Sequence, residues 1–301
     1  MTRSARPRPV REAVKRIKPL RDLVCQFDIL RKYRRFRPDR FQLVGTDRVL
    51  FVDPREPRGC ALLRGRGAGQ SATKRIWTWA LDVLEPDAVI DVGVNYGEFL
   101  FLPLYRPGTR VIGIEANPAL HPYLERSRGL HPHRDEIELY CAVARRDRQE
   151  SVAFFVDAEW SGRSSALPHG TIAKPTETSV PGLTVDSVFG GSTFPTRVVF
   201  KLDVEGYEPE VLAGMSDLLD GAQAFAGIVE FNPRFERLGI SASRFLKDLS
   251  ALGHVYVIAP GGELGALRRG TEGRLEQGLE RGVGDLLILR SRDPNGSRDS
   301  R

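Results

Sequence analysis

The chain has 301 residues, with 45 basic and 39 acidic side chains and a hydrophobic fraction of 41%. This length and composition are ordinary for a globular protein with one large core and accessory segments. No apolar run is as long as a membrane-spanning helix, and the N-terminus lacks the apolar block of a secretion signal. A membrane-spanning or secreted protein is therefore disfavoured.

The cysteines also bear on the cellular location of the protein. Cys25, Cys60 and Cys141 are odd in number and far apart, and no Cys-x-x-Cys pair or Cys/His metal spacing occurs. The sequence thus predicts no disulfide framework. A reducing cytoplasm is the expected location.

The positive charge is concentrated at the start of the chain. Residues 1–40 carry a net charge of +10, so residues 41–301 carry −4. Residues 1–9 are expected to be disordered, and residues 10–37 to form one or two helices, interrupted around Pro19. The apolar stripe of this segment consists of Val10, Val14, Ile17, Val24, Phe27 and Leu30.

Two interpretations of this basic segment are open. The helix can bind an anionic membrane or nucleic acid. Alternatively, its apolar stripe docks on the protein itself or on a second subunit, which would make a homo-oligomer. The aromatic residues Phe27, Tyr33 and Phe36 favour docking, and no nucleic-acid or membrane partner is assigned.

The rest of the chain alternates strand and helix signals. Residues 41–63 predict short strands and turns, and residues 65–70 a glycine-rich connection. Helices are predicted at residues 72–84, after residue 208 (with Val211, Leu212, Met215 and Leu218 on its apolar side) and at 241–252. Strands are predicted at residues 48–53, 88–92, 111–114, 138–142, 153–156, 198–202, 227–230, 254–258 and 285–289.

This alternation predicts an α/β fold with a mainly parallel sheet and an antiparallel C-terminal edge pair. The expected organisation is a basic, partly helical N-terminal extension (1–40), a main domain (41–290) and a disordered tail (291–301). Residues 157–184 show no clear periodicity, and a connection of that length is typical of a functional lid. This segment also contains His169, a possible general base.

The most informative motif is a strand followed by a glycine turn, Asp91-Val-Gly-Val-Asn-Tyr-Gly97, with a second strand that ends at Glu115. An acid at that place in a doubly wound fold binds ribose hydroxyls. The turn lacks the third glycine of a pyrophosphate-binding loop, and Asp91 disfavours phosphate but suits a cationic ligand. S-adenosylmethionine carries an ammonium and a sulfonium and no phosphate, so it fits best.

A second motif, Lys201-Leu-Asp-Val-Glu-Gly-Tyr-Glu208, follows the apolar strand around residue 200. Four charged residues in eight positions are poorly explained by packing, because such side chains are rarely buried unpaired. Ligands of open α/β sheets bind at the carboxyl ends of the strands. We therefore expect Asp203, Glu205 and Glu230 to face the same crevice as Glu115.

Together the two motifs resemble the FkbM family of S-adenosylmethionine-dependent methyltransferases, and the resemblance extends from about residue 45 to residue 290. It implies a Rossmann-like class I methyltransferase fold and S-adenosylmethionine as cofactor. The acceptor it implies is a hydroxyl of a sugar, glycan or secondary metabolite. The expected cofactor-binding residues are Asp91, Gly93, Asn95, Gly97, Glu115, Asn117 and Ala142.

A hydroxyl acceptor benefits from a general base. Asp203 and Glu205 are the main candidates for base or acceptor orientation, with Glu230 as a further one, and Lys201 and Glu208 would set their charge. No dedicated metal site is predicted. The alternatives are an RNA methyltransferase guided by the basic N-terminus and a non-catalytic scaffold with the same fold. A nicotinamide-dependent oxidoreductase is disfavoured by the missing glycine.

Overall fold

The computed structural model describes residues 18–168, 175–190, 193–267 and 283–292. The predictions for residues 1–17, for His169 and for residues 293–301 lie outside these ranges. So do the stripe residues Val10, Val14 and Ile17 and the side chain of Val24.

Eight α-helices are present in the described ranges. They are α1 (Lys18–Tyr33), α2 (Pro57–Gly65), α3 (Ser71–Leu84), α4 (His121–Gly129), α5 (Val185–Val188), α6 (Glu208–Ala213), α7 (Ser216–Gly221) and α8 (Ala242–Leu252). Short 3₁₀ helices lie at Ser161–Arg163 and Pro233–Leu238.

Thirteen strands form the rest of the described regular structure. They are β1 (Arg40–Gln42), β2 (Val49–Phe51), β3 (Ala88–Val92), β4 (Arg110–Ile114), β5 (Ile137–Tyr140), β6 (Val143–Ala144), β7 (Gln149–Val156), β8 (Thr176–Leu183), β9 (Arg197–Leu202), β10 (Ala224–Phe231), β11 (His254–Ile258), β12 (Leu264–Ala266) and β13 (Gly284–Ser291).

The central sheet has eight strands in the order β12-β11-β13-β10-β9-β3-β4-β5. The five strands from β10 to β5 are parallel, and β13, β11 and β12 pair antiparallel. Every residue of β3 is buried, as expected for a parallel strand covered on both faces. The predicted α/β class with a mainly parallel sheet is confirmed.

The C-terminal strands differ from the prediction in position. β11 and β13 form the predicted antiparallel pair on this side of the sheet, with β13 next to β10, but a further strand pairs with the outer side of β11. The unpredicted strand β12 forms the edge. Only three residues long, it carried too little pattern to be seen in the sequence.

Two other segments were predicted wrongly. Residues 57–65 form helix α2, not strands and turns, with Glu56 as its N-cap and Pro57 in its first turn. Residues 176–183 form the strand β8, within a segment expected to be irregular. β8 pairs with β7 and β6 in a separate three-stranded sheet, and this long-range pairing stabilises a strand whose own sequence contains proline and glycine.

The helix predicted after residue 208 is divided into α6 and α7 at Gly214. A Cβ at Gly214 would lie 1.9 Å from the carbonyl oxygen of Arg145, so the chain passes too close for any side chain. The apolar residues predicted for one helix still face one core: Val211, Met215 and Leu218 are fully buried.

The N-terminal helix docks on the protein, but through a face other than the predicted one. Ile29 and Cys25 are buried against α2, whereas the predicted contacts Phe27 and Leu30 are 66% and 44% exposed. Positions 25 and 29 are four residues apart and share a face. Both faces of α1 combine apolar and charged residues, and the sequence alone did not show which of them would pack against α2.

Cys25 and Cys60 form a disulfide between α1 and α2, which the sequence analysis did not predict. The two residues are 35 positions apart, and only the tertiary fold brings them together. Disulfides are rare in reducing compartments, so the cytoplasmic location stays a prediction. Within the described residues, no helix combines the length and apolar character needed to cross a bilayer.

Candidate active site

The two sequence motifs meet at one edge of the sheet. Because β3, β4, β9 and β10 are parallel, Gly93, Glu115, Asp203 and Glu230 all lie at or near carboxyl ends of strands. They line a cavity of about 290 Å³. This is the crevice in which open α/β sheets bind ligands.

Glu115 is the carboxylate at the end of β4. Its two oxygens accept hydrogen bonds from the backbone N–H groups of Asn95 (2.7 Å) and Asn117 (2.8 Å). Burial raises the pKa of Glu115, although these backbone donors oppose that shift. The carboxylate is thus held in one orientation at the cavity wall, with lone pairs left for a ligand hydroxyl.

Gly93 connects the glycine turn with the second motif. Its φ is +84°, and a Cβ there would lie 1.9 Å from the carbonyl oxygen of Asp203. The glycine is therefore required for contact between two protein loops, a reason different from ligand approach. Gly97, with φ +87°, is closed in by the ring of Phe101 in the same way.

Lys201 and Asp203 form an ion pair, with 2.7 Å between Nζ and Oδ2. Burial lowers the pKa of Lys201, but the nearby carboxylates of Asp203 and Asp91 outweigh burial and leave the pKa raised. Asp91 is opposite Lys201 in the sheet register. Burial raises the pKa of Asp91 to about 7, despite the attraction of Lys201.

Three carboxylates converge on one side of the cavity. One oxygen each from Asp203, Glu205 and Glu230 lies within 4.8 Å of the others, a spacing that a divalent cation can bridge. Asn232 Nδ2 donates to both Glu205 and Glu230 at 3.2 Å, and Arg234 forms an ion pair with Glu205. The sequence predicted no dedicated metal site, and this stays a prediction.

Burial is the largest cause of the raised pKa of both Glu205 and Glu230. It raises the pKa of Glu205 to about 7, with Arg234 acting in the opposite direction. It also raises the pKa of Glu230 well above its ordinary value, and the like charges of Asp203 and Glu205 act in the same direction. Buried acids with raised pKa values in one cavity are candidates for proton transfer.

Glu208 supports the loop that carries Asp203 and Glu205. Its Oε1 accepts hydrogen bonds from the N–H groups of Val204 (3.0 Å) and Gly206 (3.2 Å). The side chain is fully buried, and burial raises its pKa to about 8. Glu208 therefore acts through the loop and does not line the cavity.

Residues 157–168 cover the cavity and are tied to it at several points. Ser161 donates its N–H to Glu56 (3.0 Å) and accepts from Asn95 Nδ2 (3.2 Å). Ser165 Oγ donates to the carbonyl of Glu205 at 3.3 Å. Part of the predicted lid thus lies over the cavity and is hydrogen-bonded to it. Movement of the lid stays a prediction.

Sequence reasoning missed a charged group on the opposite wall. Glu98 accepts from Lys74 Nζ at 2.9 Å and pairs with Arg58, which comes from α2. Burial lowers the pKa of Lys74. Of these three residues, only Glu98 could have been found from the sequence, because it directly follows Gly97 of the first motif. Arg58 and Lys74 lie far from either motif.

The predicted residues divide into two groups. Those that line the cavity are Gly93, Asn95, Glu115, Ala142, Asp203, Glu205 and Glu230. Those behind its wall are Asp91, Gly97, Asn117, Lys201 and Glu208. The lining residues that were not predicted include Arg58, Gln70, Glu98, Phe154 and Trp160.

Several solved structures resemble this one at low identity. The FkbM methyltransferase from Methylobacillus flagellatus is 13% identical, with a TM-score of 0.39 over 76% of this chain and 60% of that one. The O-methyltransferase TomG from Streptomyces achromogenes, solved with S-adenosylmethionine, is 8% identical, with a TM-score of 0.41 over 73% and 80%. An O-methyltransferase from Bacillus cereus is 11% identical, with the same TM-score and coverage.

No curated protein matches the chain. The model of the methyltransferase FkbM domain matches residues 91–256, which is more than half of the chain and includes both motifs. The chain belongs to the FkbM family of S-adenosylmethionine-dependent methyltransferases.

Proposed function

We propose that this protein transfers the methyl group of S-adenosylmethionine to a hydroxyl group of a sugar, glycan or secondary metabolite. The observation that carries the proposal is the meeting of Glu115 with Asp203, Glu205 and Glu230 around one cavity. A ribose-binding acid and a cluster of candidate bases are the two parts that O-methylation needs.

The cavity fits the cofactor by its chemistry. S-adenosylmethionine supplies an electrophilic methyl group on a sulfonium, together with an ammonium. Glu115 places negative charge on the wall, where both cations are favoured, whereas the charge of Glu98 is balanced by Lys74 and Arg58. We assign the ribose hydroxyls to Glu115, the methionine part to Gly93 and Asn95, and the adenine side to Ala142.

Residues behind the wall support these contacts. Asn117 fixes Glu115 through its backbone N–H, and Gly97 allows the turn to close on Phe101. Lys201 forms an ion pair with Asp203, and Asp91 lies opposite Lys201 on the adjacent strand. They act as positioning residues.

We assign the general base to Glu205. A base works best when its pKa is near the working pH, and burial brings the pKa of Glu205 to about 7. Asp203 and Glu205 each form an ion pair, with Lys201 and Arg234 respectively. Burial and the like charges of Asp203 and Glu205 raise the pKa of Glu230 well above its ordinary value, so its protonated form is suited to donate a hydrogen bond that orients the acceptor oxygen. Glu205 then takes the hydroxyl proton as the oxygen attacks the methyl carbon.

The first test is titration calorimetry of S-adenosylmethionine and S-adenosylhomocysteine on wild type and Glu115→Gln. Loss of charge-assisted hydrogen bonds to the ribose is expected to weaken binding about tenfold or more. Glu138→Gln on β5 is the matched control, since Glu138 bonds Arg110 and Tyr140 away from the cavity. No binding by folded wild type would refute the methyltransferase function.

The second test uses acceptors. A panel of glycosides and hydroxylated aromatics is screened for S-adenosylhomocysteine release, and Glu205→Gln is compared with wild type. Glu205→Gln is expected to bind the cofactor normally and to lose about 10²-fold or more in turnover. Turnover that survives in Glu205→Gln would assign the base elsewhere.

A further inference from the structure

The outward face of helix α1 has no role in the proposed site. Its inner face is fully engaged: Ile29 is completely buried, Cys25 is bonded to Cys60, and Tyr33 Oη donates to the carbonyl of Leu63 at 2.8 Å. Because these contacts fix the orientation of the helix, the opposite face cannot turn toward the core.

That opposite face carries large apolar side chains. Positions 27, 30 and 31 share one side of the helix, opposite 25 and 29. Phe27 is 66% exposed, Leu30 44% and, just beyond the helix, Phe36 68%. A single exposed apolar residue is ordinary, but three within ten positions form an unusual surface.

The end of α1 and the segment that follows it are strongly basic, although Lys32 Nζ donates to the carbonyl of Arg64 and Arg40 lies over the ring of Phe51. Residues 31–40 contain six basic side chains and one acid. The acids of this region point elsewhere, since Asp39 pairs with Arg126 (2.6 Å) and Asp28 with Arg64 (2.9 Å). Arg31, Arg34 and Arg35 form no ion pair with any residue that the structure describes. Residues 1–17 add six more basic side chains and one acid by sequence.

We propose that this outward face of α1, with Phe36 and its flanking arginines, binds an anionic membrane surface. Helices that lie in the bilayer interface combine apolar side chains, which enter the acyl boundary, with arginines that contact lipid phosphates. RNA would be attracted by the arginines alone and gives no reason for an exposed Leu30. The attachment is peripheral and separate from the methyl-transfer cavity.

The test is co-sedimentation of the full chain with vesicles of phosphatidylcholine alone or with about 30% phosphatidylglycerol. Binding to the anionic vesicles is expected to be about tenfold stronger or more, and to weaken at high salt. The triple variant Phe27→Ser/Leu30→Ser/Phe36→Ser keeps every charge and is expected to lose about tenfold or more of this binding.

The matched control is Val83→Ser/Leu104→Ser, since these residues are 64% and 55% exposed on other parts of the surface. It is expected to bind vesicles like wild type. Calorimetry with S-adenosylhomocysteine shows whether each variant keeps its fold and cofactor site, independently of vesicle binding. Three outcomes would overturn the proposal: equal binding to both vesicle types, full binding by the triple variant, or a wild-type dimer that the triple variant abolishes. Selective binding to a poly(U) RNA without vesicle binding would assign the surface to nucleic acid.

Discussion

Gly93 provides the sharpest test of how the two family motifs form one site. In Gly93→Ala, the new Cβ would lie 1.9 Å from the carbonyl oxygen of Asp203, while the backbone keeps φ +84°. A left-handed conformation costs an L-residue about 1–2 kcal/mol. The overlap adds about 1–3 kcal/mol as a packing strain, because a backbone carbonyl must move. We expect a total loss of about 2–5 kcal/mol in the free energy of unfolding.

Gly108 is the matched control, because its φ is +85° and a Cβ there would meet nothing within 4 Å. Gly108→Ala therefore carries only the conformational cost, about 1–2 kcal/mol. Urea unfolding measures both variants, and calorimetry with S-adenosylhomocysteine reports the site. Gly93→Ala should also lose about tenfold or more in affinity, since the turn and the Asp203 loop must separate. Equal destabilisation in the two variants, or unchanged affinity in Gly93→Ala, would refute this explanation.

Three further predictions concern charge, metal and redox state. The buried Glu208 has a pKa raised to about 8, above its unfolded value, so the native state binds an extra proton and stability falls as pH rises from about 4 to 8. Urea unfolding of Glu208→Gln at several pH values should show a smaller dependence of stability on pH. An unchanged dependence would contradict this prediction. Removing divalent ions with EDTA should leave the affinity for the cofactor within about twofold of its starting value. Mg²⁺ binding by wild type that disappears in Glu230→Gln would instead show that Asp203, Glu205 and Glu230 form a metal site. Reduction of the Cys25–Cys60 disulfide, which closes a loop of 35 residues, should lower the free energy of unfolding by about 3–4 kcal/mol in the chain-entropy model. In the control variant Cys60→Ser, the reductant should leave the free energy of unfolding unchanged.

The active-site edge could be predicted from the sequence because its signals are local. Asp91, Glu115 and Asp203 each follow an apolar run, and parallel strands place such residues at one edge of the sheet. The roles within that edge were not predictable. Glu208 was expected to set the charge of Asp203 and Glu205, but its side chain accepts hydrogen bonds from the Val204 and Gly206 amides. Burial and hydrogen-bond direction depend on packing that no local pattern encodes.

The sequence by itself determined the main strands of the central sheet, the family and the carboxylates at the strand ends, because hydrophobic periodicity and motif spacing are properties of neighbouring residues. Only the tertiary structure decided which face of α1 docks, that Cys25 meets Cys60, and that Arg58 and Glu98 complete the cavity. The contacts concerned join residues 30, 35 and 40 positions apart in the chain. Such contacts form only when the whole chain has folded.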